Sequence, residues 1–410
     1  MTKSLILIEF NEVSFYFLNK YIEKGSLKNF AKFIDQNKVI ITNSEKEFCN
    51  LEPWIQWVTV HTGLEFEEHK VFRLGDAKNQ PENIWNKLNN NNLNSFLLSP
   101  MNAVNPNNDK SIFIPDPWTP THSTNNFFFN SFHKTISSMV NDNSKGDFKI
   151  FDLISFTISF IRFARFKNYI TYFKLALNSY KKKWNRAIFL DLLISDIFIG
   201  SFNNKKYSYG SVFFNAAAHI QHHYFFSSDV YKGINNNPSW YCLKKHDPLL
   251  DVYTVYDSIL EDILKNNNSS RIIIATGLSQ DPVDNPTYYW RLKNHEKFLN
   301  DGGITFLNVE PRMSRDFLIN FSNSCNSDEA EYILKNMSVN NKRVFEVDNR
   351  GNSLFVTLVY PDILDQDSEL TVSKKLKKFN FFEHLTLVAI KNGQHNGQGF
   401  YVDSENQNNN

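Results

Sequence analysis

The chain opens on an apolar run, "LILIEF" (5–10), followed by "NEVSFYFLNKYIEKG", where apolar positions recur at helical spacing until Gly25. This pattern predicts a strand, a loop and a helix. Short β-branched or aromatic runs bounded by turn residues recur further on: "SFLLSP" (95–100), "SIFIPD" (111–116), "SVFFN" (211–215), "RIIIATG" (271–277), "SLFVTLVY" (353–360) and "LTLVAI" (385–390). Amphipathic patterns such as "DVYTVYDSILEDILKN" (251–266) lie between several of them. Apolar strands alternating with amphipathic helices predict an α/β fold, a mostly parallel central sheet with helices on both faces. Ligands of such folds gather beyond the carboxyl ends of the strands, which nominates Asn11 and Glu12, residues 215–223 and residues 276–280.

From 117 to 207 the pattern changes to long helical segments, "FDLISFTISFIRFARFKNYITYFKLALNSYKKKW" and "RAIFLDLLISDIFIG". Asp152, Arg162, Arg165, Asp191 and Asp196 interrupt their apolar residues, so amphipathic helices are expected rather than transmembrane segments. The expected organisation is an α/β core from 1–116 and 208–402, a helical cap insertion at 117–207, and a disordered tail at 403–410 that ends in "NQNNN". Core packing accounts for most aromatic residues of the insertion, with cover for an apolar or lipid-linked substrate as the alternative.

Composition narrows the function classes. Lys plus Arg (44) almost balances Asp plus Glu (43), so there is no global basic field of the kind that drives binding to nucleic acid. Cys49, Cys242 and Cys325 are scattered, with no CxxC pair, which fits thiols of a reducing compartment. The N-terminal apolar run is too short, and too soon acidic at Glu9, for a signal peptide or a membrane span, and a cytoplasmic protein is expected. Walker A, GxGxxG, GxSxG and HExxH motifs are missing from the sequence.

Three stretches carry candidate chemistry. "AAAHIQHHYFF" (216–226) places three histidines within five residues behind a strand. On a helix His219 and His223 stand one turn apart, with His222 on the same side of His219, and neutral imidazoles so spaced can share a zinc, manganese or iron ion. Histidines on a first helical turn also cap or stack without metal. "FCNLEPWIQWVTVHTGLEFEEHKVF" (48–72) is dense in aromatic and acidic residues, Trp54 and Trp57 among them. "NGQHNGQGFYV" (392–402) sets His395 in a glycine-rich loop between two strand-like runs, with little bulk to shield it.

In this order the pieces resemble the alkaline phosphatase superfamily, in its type I phosphodiesterase and nucleotide pyrophosphatase branch. "LILIEFNEVSFYFLNKYIEKGSLKNFAKFI" resembles the family's opening strand, loop and helix; "EPWIQWVTVHTGLEFEEH" keeps a Thr-Gly and a later His; "AHIQHHYF" is similar to its Asp-x-x-x-His segment; "QHNGQGFYV" repeats its late His before a Gly and a strand. Family members bind two divalent ions around a Ser or Thr nucleophile. Here Asn11, beside Glu12, stands where the first Asp is expected, Pro53, beside Glu52, stands where the nucleophile is expected, and "ATGLSQ" (275–280) replaces Ser-Asp-His-Gly. His222 and His395 match family ligands, while Ala218 replaces the Asp four residues before His222.

The resemblance implies a hydrolase or transferase acting on a phosphate or sulfate ester of a small molecule or glycan precursor, with at most one divalent ion, zinc or manganese. Its ligands are expected among His222, His395, His219 and His223, with two registers open: His222 with His395 and His219 as a substitute ligand, or His219 paired with His223. Glu52 and Glu12 are the candidate general bases or oxygen donors, and Asn11, Trp54, Trp57 and Asn215 the candidate substrate contacts. The alternative is a catalytically inactive binding or scaffold protein, for instance in surface-polysaccharide metabolism.

Overall fold

The computed structural model describes residues 3–44, 51–75, 81–141, 150–311, 315–372 and 377–408. Cys49 lies outside them, as do Phe48 and Asn50 at the start of the aromatic stretch. Cys242 is buried and Cys325 exposed. The described residues divide into two compact units, one formed by those before 284 together with 393–408, the other by those from 284 to 392.

The first unit is built on a central sheet of seven strands. Six are β1 (Leu5–Phe10), β2 (Asn37–Asn43), β3 (Ser95–Leu98), β4 (Ser111–Ile114), β5 (Tyr209–Phe214) and β6 (Arg271–Ala275); the seventh is the C-terminal strand Gln398–Gln407. Their order is β2, C-terminal strand, β6, β1, β5, β3, β4. β1 pairs in parallel with both β5 and β6, and β3 pairs in parallel with β4 and β5. The C-terminal strand runs antiparallel to β6 and β2.

Strand alternation sends side chains to two faces, and both are covered. Ile6, Ile8, Phe10, Val212, Phe214, Ile272 and Ile274 belong to one large buried cluster. Leu97, Phe113 and Tyr209 point the other way, against Trp85, and Phe213 meets Trp57. The helices of this unit are α1 (Phe15–Glu23), α2 (Lys28–Gln36), α3 (Pro53–Thr62), α4 (Phe66–His69), α5 (Ile84–Asn90), α6 (Phe127–Asn141), α7 (Ile150–Phe163), α8 (Tyr169–Asn178), α9 (Asn185–Ser201), α10 (Ala216–Tyr224) and α11 (Pro248–Asn266). In α11, Asp247 accepts from the Leu250 amide, Pro248 sets the first turn, and Val252, Tyr256, Ile259 and Ile263 form the buried stripe.

Three expectations about organisation change. Residues 284–392, placed with the core because their apolar runs looked like more parallel strands, form the second unit. Phe345–Asn349, Ser353–Leu358 and Asp316–Asn320 pair antiparallel there around a separate core that includes Trp290, Phe298, Phe317 and Leu354. The turn at Asn349–Gly351, with Gly351 at φ +83°, makes a hairpin of what was read as an isolated strand. The supposed tail continues as strand to Gln407, because Asp403 is anchored by Arg271 and Ser404 accepts from the Ile272 amide.

The insertion is helical as expected, but α9 packs into the central core rather than capping strand ends. Ile188, Leu192, Ile197 and Phe198 join the cluster of β1 and β5. Asp191 of α9 accepts from the Ala216 amide that opens α10 (2.7 Å) and from the Tyr256 hydroxyl of α11 (2.6 Å). No helix among the described residues is long and apolar enough to cross a membrane.

Burial pushes the Asp191 carboxyl up from 3.8 to about 7, against the pull of Tyr256 and the amides of Ala216 and Asn215. Between those values the native protein holds a proton that the unfolded chain has released. The contribution is therefore fully present below about pH 4 and is lost as pH rises to about 7. Asp191→Asn carries no charge at any pH. We predict that unfolding by urea at pH 5 and pH 8 shows a drop on the order of 1–3 kcal/mol in the unaltered protein that the variant lacks; an equal drop in both assigns it to other groups.

Candidate functional site

Three strand ends and the start of a fourth strand meet at one edge of the central sheet. β1 runs into Asn11 and Glu12, β5 into Asn215 and α10, and β6 into the turn that leads to Gln280. The C-terminal strand, being antiparallel, begins there, so the residues before it, Gly393 and His395, arrive at the same place. This is the carboxyl edge at which α/β sheets hold ligands.

Glu12 occupies the left-handed region at φ +59°, unusual for a residue with a side chain. Its backbone is tied down on three sides. The Glu12 amide donates to the Thr276 carbonyl (3.1 Å), the preceding Asn11 amide donates to the Phe214 carbonyl (3.0 Å), and Gln221 of α10 donates to the Glu12 carbonyl (2.6 Å). Gln221 is itself fixed, since its Oε1 accepts from the Tyr253 hydroxyl (2.6 Å) and the Ser14 amide (3.0 Å).

The buried Glu12 carboxylate faces two imidazoles. His222 Nε2 and His395 Nε2 each lie 3.3 Å from Glu12 Oε2, and the two rings meet edge to face with centroids 5.0 Å apart. The far nitrogens have partners too: His222 Nδ1 is 3.4 Å from the Gly393 carbonyl, and His395 Nδ1 is 3.6 Å from Glu52 Oε2. With the proton on Nδ1, each ring turns its Nε2 lone pair towards the common centre. Burial alone would raise the Glu12 carboxyl, but His222 and His395 hold it well below the usual carboxylate range. Burial also pulls the His395 ring down, and Glu12, Glu52 and the Leu51 backbone lift it above its ordinary value.

Among the described residues, Glu12, His222 and His395 are the one group whose ligand atoms all lie close enough, within 4.8 Å of one another, to hold an ion. Two nitrogens and an oxygen bound tetrahedrally at about 2.0–2.1 Å stand about 3.3–3.4 Å apart along each edge. The two N···O separations of 3.3 Å match that spacing. The donor set, two neutral imidazoles and a carboxylate, suits zinc or manganese.

Of the two registers, the structure brings together the side chains of His222 and His395. Successive helical residues are about 100° apart, so α10 cannot aim His222 and His223 at one point. His219 is exposed and pairs its ring with that of His223, 5.0 Å away, and neither belongs to the three-residue group. Glu52 stands immediately before α3, with Pro53 in the first turn, and its carboxylate reaches His395.

The four expected substrate contacts are placed differently. Asn11 is buried and spends both amide protons, on Glu12 Oε1 (3.0 Å) and Asn215 Oδ1 (2.8 Å), while its Oδ1 accepts from Trp57 Nε1 (2.7 Å). Asn11 and Trp57 therefore brace the Glu12 turn and are not open to a ligand; Gly277, at φ +71°, lets the backbone pass the Trp57 ring closely. Trp54 donates to the Phe72 carbonyl (3.1 Å) and Asn215 precedes α10.

Two supporting residues lie in the stretches that strand ends nominate, 215–223 and 276–280, but were not singled out as site residues. Gln280 donates to the Glu12 carboxylate and to the Ala218 carbonyl (3.0 Å), and Gln221 holds the Glu12 backbone. Their only signal was position, just beyond β6 and inside the histidine helix. A second buried pair, Glu9 with His61 Nε2 at 3.2 Å, sits beneath the sheet edge, with the Ser211 hydroxyl donating to Glu9.

No protein-family model and no curated protein sequence matches the chain. Among solved structures, it is similar to phosphonoacetate hydrolase from Sinorhizobium meliloti 1021 in complex with phosphonoacetate, at 9% identity, covering 98% of this chain and 90% of that one, with a TM-score of 0.44. It is also similar to murine ectonucleotide pyrophosphatase/phosphodiesterase 5, at 11% identity and 98% and 88% coverage, with a TM-score of 0.38. Likenesses this distant carry no inference about activity.

Gly393 tests the tightness of the assembly. A Cβ there would lie 2.5 Å from Gln280 Oε1 and 2.9 Å from the Gln221 carbonyl. Gly393→Ala is expected to cost about 1–3 kcal/mol of stability in urea unfolding, as overpacking does, because a methyl group there meets both glutamines that position Glu12. Unchanged stability would mean that the loop yields freely.

Proposed function

We propose that the chain is an alkaline phosphatase-like hydrolase or transferase acting on a phosphate or sulfate ester of a small molecule or glycan precursor, with one divalent ion, zinc or manganese, held by Glu12, His222 and His395. The observation that carries this reading is the convergence of those three side chains at ligand spacing. It also answers the departure at Ala218. Glu12, one residue beyond the expected Asp position, supplies the missing carboxylate, and Gln280 bonds both Glu12 and the Ala218 carbonyl. A second ion has little to bind, since Asn11 stands where the family pattern has an Asp, and "ATGLSQ" (275–280) replaces its Ser-Asp-His-Gly without an Asp or a His.

A bound divalent ion would supply Lewis-acid stabilisation of charge on the transferred group. Glu52 is the general base of this scheme, taking a proton from water or an acceptor hydroxyl onto its carboxylate. His395, touching both Glu12 and Glu52, fixes the distance between the binding carboxylate and the base. The positive end of α3 lies at Glu52 and favours negative charge beside it. The runner-up, a binding protein without turnover, is favoured by Pro53, which leaves no hydroxyl nucleophile at the start of α3.

Elemental analysis of the purified full chain after exposure to zinc or manganese is expected to give about one ion per chain, lost in His222→Ala and His395→Ala. In a screen of phosphate monoesters, diesters and sulfate esters, Glu52→Gln is expected to keep the metal and lower kcat by about 10²–10⁴-fold. Stoichiometric metal without turnover of any ester would favour the binding protein. No metal, with activity unaffected by either histidine change, would overturn both the ligand set and the mechanism.

A further inference from the structure

We propose that the outer face of α7 and α8 docks on the surface of an anionic phospholipid bilayer. Each of these helices is apolar on two sides. Their inner sides bury Phe163, Tyr172 and Leu175 in the main core. Their outer sides expose Ile158, Ile161, Ile170, Phe173 and Leu177, and the turn between them exposes Phe166, with Phe166 at 86% and Ile170 at 71% exposure. On α8 the exposed residues follow the three- and four-residue spacing of a helix stripe, and Tyr180, 88% exposed, continues it beyond the helix. Core packing explains the inner stripe and leaves the outer one uncovered among the described residues.

Charge identifies the occupant. Residues 150–186 carry eight basic side chains and one acidic, Asp152, in a chain whose total is +1. Arg165 and Lys167 are tied to Asp262, and Lys182 to Asp251. Lys174, Lys181, Lys183 and Arg186 are exposed and make no ion pair among the described residues. Arg162 lies 5.6 Å from the Phe128 ring centroid and 5.4 Å from that of Phe163, at the border of the apolar patch. Exposed Phe, Ile and Leu surrounded by Lys and Arg is the chemistry of a helix lying in a bilayer interface, rings at acyl depth and cations at the phosphates.

An apolar groove of about 370 Å³, lined by Phe156, Phe160, Tyr169, Phe173 and Phe189, reaches the same face and suits the end of an acyl chain. A second copy of the chain, placed symmetrically on this face, would set cation against cation. The proposal does not depend on the ester chemistry.

The test is co-sedimentation of the full chain with vesicles of phosphatidylcholine alone or mixed with phosphatidylglycerol. Binding is expected to the mixed vesicles and to fall with salt. Ile170→Glu with Phe173→Glu, both exposed positions, should lower the bound fraction about tenfold or more with the melting temperature unchanged. Lys174→Glu, Lys181→Glu and Lys183→Glu together should remove the preference for phosphatidylglycerol. Protein that stays in solution with both vesicle types, or binds them equally well with Ile170→Glu, overturns the proposal. So does a lipid-free dimer in sedimentation velocity that Ile170→Glu dissociates, since a second copy would then own the face.

Discussion

The site depends on one buried carboxylate held in a backbone conformation that side chains avoid. Glu12 turns left-handed at the end of the central strand, at a cost of about 1–2 kcal/mol. The neighbouring strands remove the alternative: with the Asn11 amide on β5 and the Glu12 amide just beyond β6, the chain must reverse within a residue. A shorter or more relaxed turn would point the carboxylate elsewhere, and His222 and His395 would face each other with nothing between them.

A buried charge must be repaid by hydrogen bonds and opposite charge. Asn11, Gln280, His222 and His395 all address the Glu12 carboxylate, and each is held in turn: Asn11 by Trp57, Gln280 at the Ala218 carbonyl, His222 at Gly393, His395 at Glu52. Trp57 and the backbone carbonyls of Ala218 and Gly393 are neutral supports, and Glu52 is the one charged group among them.

Much of this was legible in the chain. The alternation of "LILIEF", "SVFFN" and "RIIIA" with amphipathic helices foretold the parallel sheet, and the carboxyl-end rule led to Glu12, α10 and residue 280. The pairing of His222 with His395 followed from motif order, although the residues are remote in sequence. What was not legible depended on long-range contacts. Trp57 and Asn11 looked available because nothing local reveals that they bond each other. The strand at 353–358 has the same apolar run whether its neighbours are parallel or antiparallel, so the second unit passed for core. Asp191 looked like a polar break on a helix surface, whereas its partners, Ala216 and Tyr256, make it a tie between three helices.

The antiparallel C-terminal strand has a consequence for how the protein comes into being. Its insertion between β2 and β6 is what carries His395 to Glu12, a residue made well before it during synthesis. Until that strand is made and seated, Glu12 has one imidazole partner instead of two, and Glu52 has lost the ring that connects it to the centre. A nascent or truncated chain is therefore chemically blank at this edge, and completion of the sheet and assembly of the site are one event.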